Sequence, residues 1–151
     1  MPPEFDDAAA YTQHVVNEML PAFAAEGLID YVDAFCEKGY FGTEETRVLL
    51  EVANGLGLRS KVHVNQFNDI GGVELCVNQN ALSVDHLEVC SSEAIQSLIE
   101  GFERAEGGEG LPTYPVALPG CSHFLSIPYT PGRALIDAGL PLVLATDHNP
   151  G

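Results

Sequence analysis

The apolar positions of this chain follow two rhythms: short β-prone runs, and between them longer stretches in which apolar residues recur at helical spacing. The first helix is predicted from about Asp7 to Glu26, with Asp6 or Asp7 as cap and Gly27 as stop. "LIDYVDAF" then reads as a strand. "GTEETRVLLEVANGLG" predicts a helix with Thr43 as N-cap, Glu44 and Glu45 in the first turn where the helix dipole favours them, and an end at Gly57. Its Val48, Leu49, Val52 and Leu56 share one face. "SKVHVNQF" is the second strand, "GGVELCVNQN" a short helix and "ALSVDHLEV" the third strand. Ser91 or Ser92 caps a helix running to about Arg104, and the acidic, glycine-rich "EGGEGLP" follows as a surface loop. "TYPVALPG" is a fourth strand interrupted by prolines, "TPGRALIDAG" a helix with Thr130 as cap, Pro131 at its first position and Gly139 as stop, and "LPLVLAT" the fifth strand.

After the opening helix, strands and helices alternate, and the strands are apolar enough to be buried on both faces. That is the signature of a parallel α/β sheet. Two architectures fit: an open doubly wound sheet, or the later part of a (β/α)8 barrel. The length of 151 residues and 46% hydrophobic content suit one folded domain.

Charge narrows the partners. Twenty-two acidic against six basic residues give a net charge of −16, spread along the chain. Nucleic acid and anionic membranes both require a basic surface, so neither is an expected partner. Cys36, Cys76, Cys90 and Cys121 are irregularly spaced and read as reduced thiols in or near a core. "MPPEFDDAAA" has no basic start followed by an apolar run, and no segment is long and apolar enough for a membrane span. A cytoplasmic location is the expectation.

Residues that ionise or bind metal cluster where the predicted strands end. Glu37 follows the first, His63 lies in the second, and Asp85, His86 and Glu88 end the third. Ser122 and His123 follow the fourth; Asp147, His148 and Asn149 follow the fifth. Taken singly, each has a structural explanation: a histidine hydrogen-bonded in a core, or an aspartate capping a turn. Jointly, His63, His86 and Asp147 sit on three strands of one parallel series, whose ends converge on one rim. Neutral imidazole and carboxylate suit zinc or iron, and such a metal makes water nucleophilic near neutral pH.

"DAFCEKGYF", "KVHVNQFNDIGGVEL", "ALSVDHLEV" and "GLPLVLATDHNPG", in this order and spacing, resemble the imidazolonepropionases of the amidohydrolase superfamily. The resemblance covers nearly the whole chain and resolves the architecture in favour of the metal-dependent hydrolase TIM barrel. The five predicted strands become its fourth to eighth, and residues 1–151 a partial catalytic domain without the N-terminal strands and the β-sandwich. It implies a cytoplasmic homodimer with one zinc or iron per chain. The reaction it implies is hydrolytic ring opening of 4-imidazolone-5-propanoate to N-formimidoyl-L-glutamate, a step of histidine degradation. His63 and Asp147 match metal ligands, with Asp147 also able to take a proton. His86 matches a residue that polarises the substrate carbonyl or handles protons, and Asn149 and Gly151 match substrate-binding loop positions. Gln66 stands where many members have a glutamate acting on substrate or water; an amide hydrogen-bonds but is no general base. The family's first-strand H-x-H ligand pair and the substrate-binding residues of its N-terminal half have no counterpart here, so the chain alone is expected to be inactive.

Two other expectations stand beside this one. A related deaminase or cyclic-amide hydrolase would share His63, His86 and Asp147. A non-catalytic α/β binding module would be a stable monomer with no metal dependence.

Overall fold

The structure, a computed structural model, describes residues 2–148. Helix α1 (Ala8–His14) starts as predicted, with the Asp7 carboxylate accepting from the Ala10 N–H at 2.7 Å. It continues through a π-helical turn, Val15–Met19, into α2 (Leu20–Ala25). The predicted single helix is thus one helical run with a widened turn in its middle.

The first predicted strand appears as β1 (Tyr31–Val32) and β2 (Phe35–Cys36), both paired with β3 (Arg59–Val64). Tyr31 faces Arg59 and Phe35 faces His63, so the register is constant and the ladder is merely interrupted at Asp33 and Ala34. Between them, α3 (Thr43–Gly55) has Gly42 as N-cap where Thr43 was predicted, because the Glu45 carboxylate accepts from the Gly42 N–H at 3.0 Å. The buried line of α3 is Thr46, Leu50 and Ala53, while Leu56 is exposed, so the buried face is rotated from the predicted one.

The chain continues through α4 (Gly72–Asn78), β4 (Ser83–His86), α5 (Ser92–Glu106) and β5 (Tyr114–Ala117). Ser91 caps α5 by accepting from the Ala94 N–H at 3.2 Å. Helix α6 (Pro119–Leu125), absent from the predicted elements, comes next, then α7 (Gly132–Asp137) and β6 (Val143–Leu144). Pro119, read as a strand interruption, is instead the first residue of α6, where its missing N–H costs nothing. In α7, Pro131 is the N-cap rather than the first helical residue.

All strand pairs are parallel, and each strand lies beside its predecessor in the chain: the β1/β2 segment, then β3, β4, β5 and β6. A doubly wound sheet reverses its strand order at a switch point; this sheet does not, which makes it an arc of consecutive barrel strands. Val62, Val64 and Val84 are fully buried on the helix-facing side, with Leu50, Val73, Cys76 and Leu98. Each such aliphatic side chain contributes roughly 1.5–3 kcal/mol by leaving water. Gly101 allows α5 to lie against α4, since a Cβ there would sit 2.7 Å from Val77 Cγ1. By strand alternation Lys61, His63 and Asp85 occupy the opposite face. No helix among the described residues is long and apolar enough to cross a membrane.

Candidate metal and catalytic site at the strand ends

A parallel sheet delivers every strand's C-terminal end to one rim, and here those ends leave extended geometry abruptly. Asn65, His86, Leu87 and Asp147 all have positive φ without being glycine. Two consecutive left-handed residues, His86 at φ +86° and the fully buried Leu87 at +65°, form a strained pair of the kind that concentrates at functional sites. The strain has a geometric result. Register pairs His86 with the helix-facing Val64, yet the His86 ring lies with its centroid 4.0 Å from that of His63 on the opposite face. The backbone turn carries His86 into the mouth of the arc. Thr130 holds the turn by donating from Oγ1 to the His86 carbonyl.

His63 is packed between Phe35 and His86. Burial, and secondarily the charge of His86, push its pKa down to about 3, so the ring is neutral at physiological pH. Its Nε2 is buried without a hydrogen-bond partner among the described residues and lies 4.0 Å from Glu37 Oε1. A neutral imidazole with an orphaned buried nitrogen suits a metal ligand. His86 Nε2 is 3.9 Å from Asp147 Oδ2, and its Nδ1 is 3.5 Å from Glu88 Oε1. Three of the predicted residues thus form one run, with His63 against His86 and His86 against Asp147.

Two buried carboxylates support this run. Glu37 accepts from the backbone N–H groups of Gln66, Phe67 and Asn68 at 2.6, 3.1 and 3.0 Å, and from Asn68 Nδ2 at 3.3 Å. It fixes the loop after β3 and hence the position of Gln66, which is itself buried. Glu88 accepts from Ser122 Oγ at 2.7 Å, tying the end of β4 to α6. Asn65 adds a third tie, donating from Nδ2 to the Val89 carbonyl at 3.0 Å.

Gln66 Nε2 donates to Cys121 Sγ at 3.4 Å. Cys121 was not among the predicted site residues, yet its sulfur, a His86 nitrogen and an Asp147 oxygen lie within 4.8 Å of one another. Helix α6 brings it there: Gly120 packs so closely on Thr146 that a Cβ would sit 3.0 Å from the Thr146 carbonyl oxygen. Burial and then the hydrogen bond and charge of Asp147 push the thiol up to about 11, so it is protonated and no nucleophile. Its position one residue before Ser122 was the available signal, hidden because α6 was not foreseen. His123 is exposed on α6 beside Tyr129, with Nδ1 3.3 Å from the hydroxyl, and His148 is exposed. The predicted substrate-binding residues Asn149 and Gly151 lie outside the described residues.

The strand order and the polar rim define the class, a segment of a parallel (β/α) barrel with ionisable residues gathered at the strand ends. The solved structure of A. niger ochratoxinase has the same fold over 97% of this chain and 36% of its own, with a TM-score of 0.55 at 16% identity. No protein-family model matches the chain. Imidazolonepropionases do match it: that of Christiangramia forsetii is 55% identical over 152 residues, covering 100% of this chain and 34% of its own length. Those of Flavobacterium psychrophilum and Deinococcus deserti are 53% and 44% identical over 97% and 100% of the chain. By sequence this chain is similar to imidazolonepropionases along its whole length, and it spans about a third of the length of the curated relatives it matches.

Proposed function

We propose that residues 1–151 form part of the catalytic TIM barrel of an enzyme that hydrolyses 4-imidazolone-5-propanoate to N-formimidoyl-L-glutamate. The observation that carries this reading is 55% identity to an imidazolonepropionase sustained along the whole chain. The orphaned, neutral His63 imidazole and the Asp147 carboxylate fit one zinc or iron ion, completed by ligands from outside this segment. Such an ion, when bound, acidifies a water molecule for attack on the cyclic amide carbonyl.

The chain's own residues do the rest. Asp147, adjoining His86, is suited to accept the proton of the attacking water, and His86 to polarise the carbonyl and pass that proton to the leaving nitrogen. Glu88 lies 3.5 Å from His86 Nδ1, on the ring nitrogen away from Asp147, and Glu37 fixes the Gln66 loop beside His63. Gln66 fixes the substrate through hydrogen bonds and moves no proton. Asn149 and Gly151 contact the substrate. The assembled enzyme is a cytoplasmic homodimer that takes this small molecule and neither nucleic acid nor membrane.

The test is metal content and imidazolone propionate hydrolysis, measured side by side for this chain and for the longer protein that carries it. About one metal per chain and turnover in the longer protein alone are expected. A longer protein that binds metal but turns over a deaminase substrate instead would overturn the assignment.

A further inference from the structure

We infer that the strand-end rim holds a second, inhibitory metal site for a soft divalent cation, zinc or cadmium, formed by His86, Cys121 and Asp147. The inhibition and the contrast with a resident metal rest on the reading above; the three-donor cluster does not. One ligand atom from each of the three residues lies within 4.8 Å of the other two, close enough for one ion to bind all three with small side-chain adjustments. Three protein donors of nitrogen, sulfur and oxygen, with a fourth position left to water, form a set that zinc accepts. The sulfur makes the site selective, because thiolate favours zinc and cadmium over magnesium, calcium or manganese.

The donors are also built in rather than adventitious. His86 is 5% exposed, its Nδ1 has no hydrogen-bond partner among the described residues, and its Nε2 is 3.9 Å from Asp147 Oδ2. Cys121 is fixed from two sides: Gln66 donates to its sulfur, and the close approach of Gly120 to Thr146 seats its helix on the end of β6. On binding, the thiol proton leaves to solvent and a metal–sulfur bond forms, with no change in oxidation state. His63 is not one of the three donors, so this site differs from the resident one while sharing the Asp147 carboxylate, which has two oxygens to offer. An ion here occupies the side chains that would polarise the carbonyl and accept the proton.

The experiment titrates cadmium into the longer protein, loaded with its resident metal in wild type and Cys121→Ser and used as purified in His63→Ala, which lacks a resident ligand. It reads the near-ultraviolet cadmium–thiolate charge-transfer absorption alongside turnover, for wild type, Cys121→Ser and His63→Ala. Expected are one saturable absorption in wild type that tracks loss of turnover, its persistence in His63→Ala, and its disappearance in Cys121→Ser with cadmium affinity weakened about tenfold or more. Absorption that survives Cys121→Ser, or that vanishes in His63→Ala, overturns the second site. Wild-type absorption with the expected variant pattern but no turnover in any sample would count against the proposed reaction and leave the site standing.

Discussion

The two ends of the sheet are built on opposite rules. At the N-terminal ends of the strands, polar groups are paired almost completely. Arg59 donates from Nε to the Asn80 carbonyl at 3.3 Å and from Nη2 to those of Ala81 and Pro112 at 3.1 and 2.9 Å. Thr113 donates to the Ala81 carbonyl at 2.8 Å, and Asn80 Oδ1 accepts from the Leu111 N–H at 3.0 Å. Ser83 Oγ is the exception there. At the C-terminal ends, His63 Nε2, Asn65 Oδ1, Asp85 Oδ1, His86 Nδ1 and Glu88 Oε2 are all buried without a hydrogen-bond partner among the described residues, and four backbone positions are left-handed. Leaving buried polar atoms unpaired costs about 1–3 kcal/mol each, so one end of the sheet holds the fold while the other gives up stability.

Glu37 cuts across that division, and the largest effect is expected there. It sits at the C-terminal rim yet is satisfied like a residue of the other end. Glu37→Ala strands three N–H groups and should cost about 3–5 kcal/mol in denaturant unfolding of the longer protein, with loss of metal as the loop around Gln66 loosens. A cost below about 1 kcal/mol would mean that water replaces the carboxylate. Arg59→Ala tests the opposite end: about 2–3 kcal/mol of stability lost, metal content unchanged. Metal loss at that distance would break the separation of the two ends.

The smallest effect is a matter of pH. Burial, with the Asp147 charge adding to it, holds the Asp85 carboxyl above its ordinary value, while the neighbouring Ser83 hydroxyl and then the charges of Lys61 and His86 oppose. A group whose folded pKa is raised contributes its full stability below the unfolded value, near about 3.9, and loses it as pH rises through the folded value. Asp85→Asn should therefore leave stability unchanged at pH 3 and raise it by no more than about 1 kcal/mol at pH 7, read as unfolding midpoints in metal-free protein. A decrease at pH 7 would place Asp85 among the stabilising groups instead.

Much of this was legible in the residues. The apolar strands and the caps at Asp7 and Ser91 are local features, and their signals are written in neighbouring side chains. The convergence of His63, His86 and Asp147 followed from parallel strands sharing a direction, while the roles given to them came from the resemblance. What the residues concealed was backbone conformation and long-range packing. Alternation along β4 gives no hint that His86 swings to the other face, because nothing about a His-Leu pair announces two left-handed residues. Pro119 could end a strand or begin a helix, and only the packing of Gly120 on Thr146 decides it. Cys121 depends on that decision. Glu37 was visible as a strand-end carboxylate, but its partners lie about thirty residues ahead, beyond any local pattern.

The strand order has a consequence for how the molecule comes into being. After the β1/β2 segment, each strand pairs with the one made just before it, one helix away in the chain or, between β5 and β6, two. Nothing synthesised late must thread between strands already paired, so the sheet can grow by accretion as the chain leaves the ribosome, each new β-α unit adding to an existing edge. Closing such short loops costs little entropy compared with joining distant strands. Asp147 arrives last in that sequence, after His63 and His86 have already been set in place.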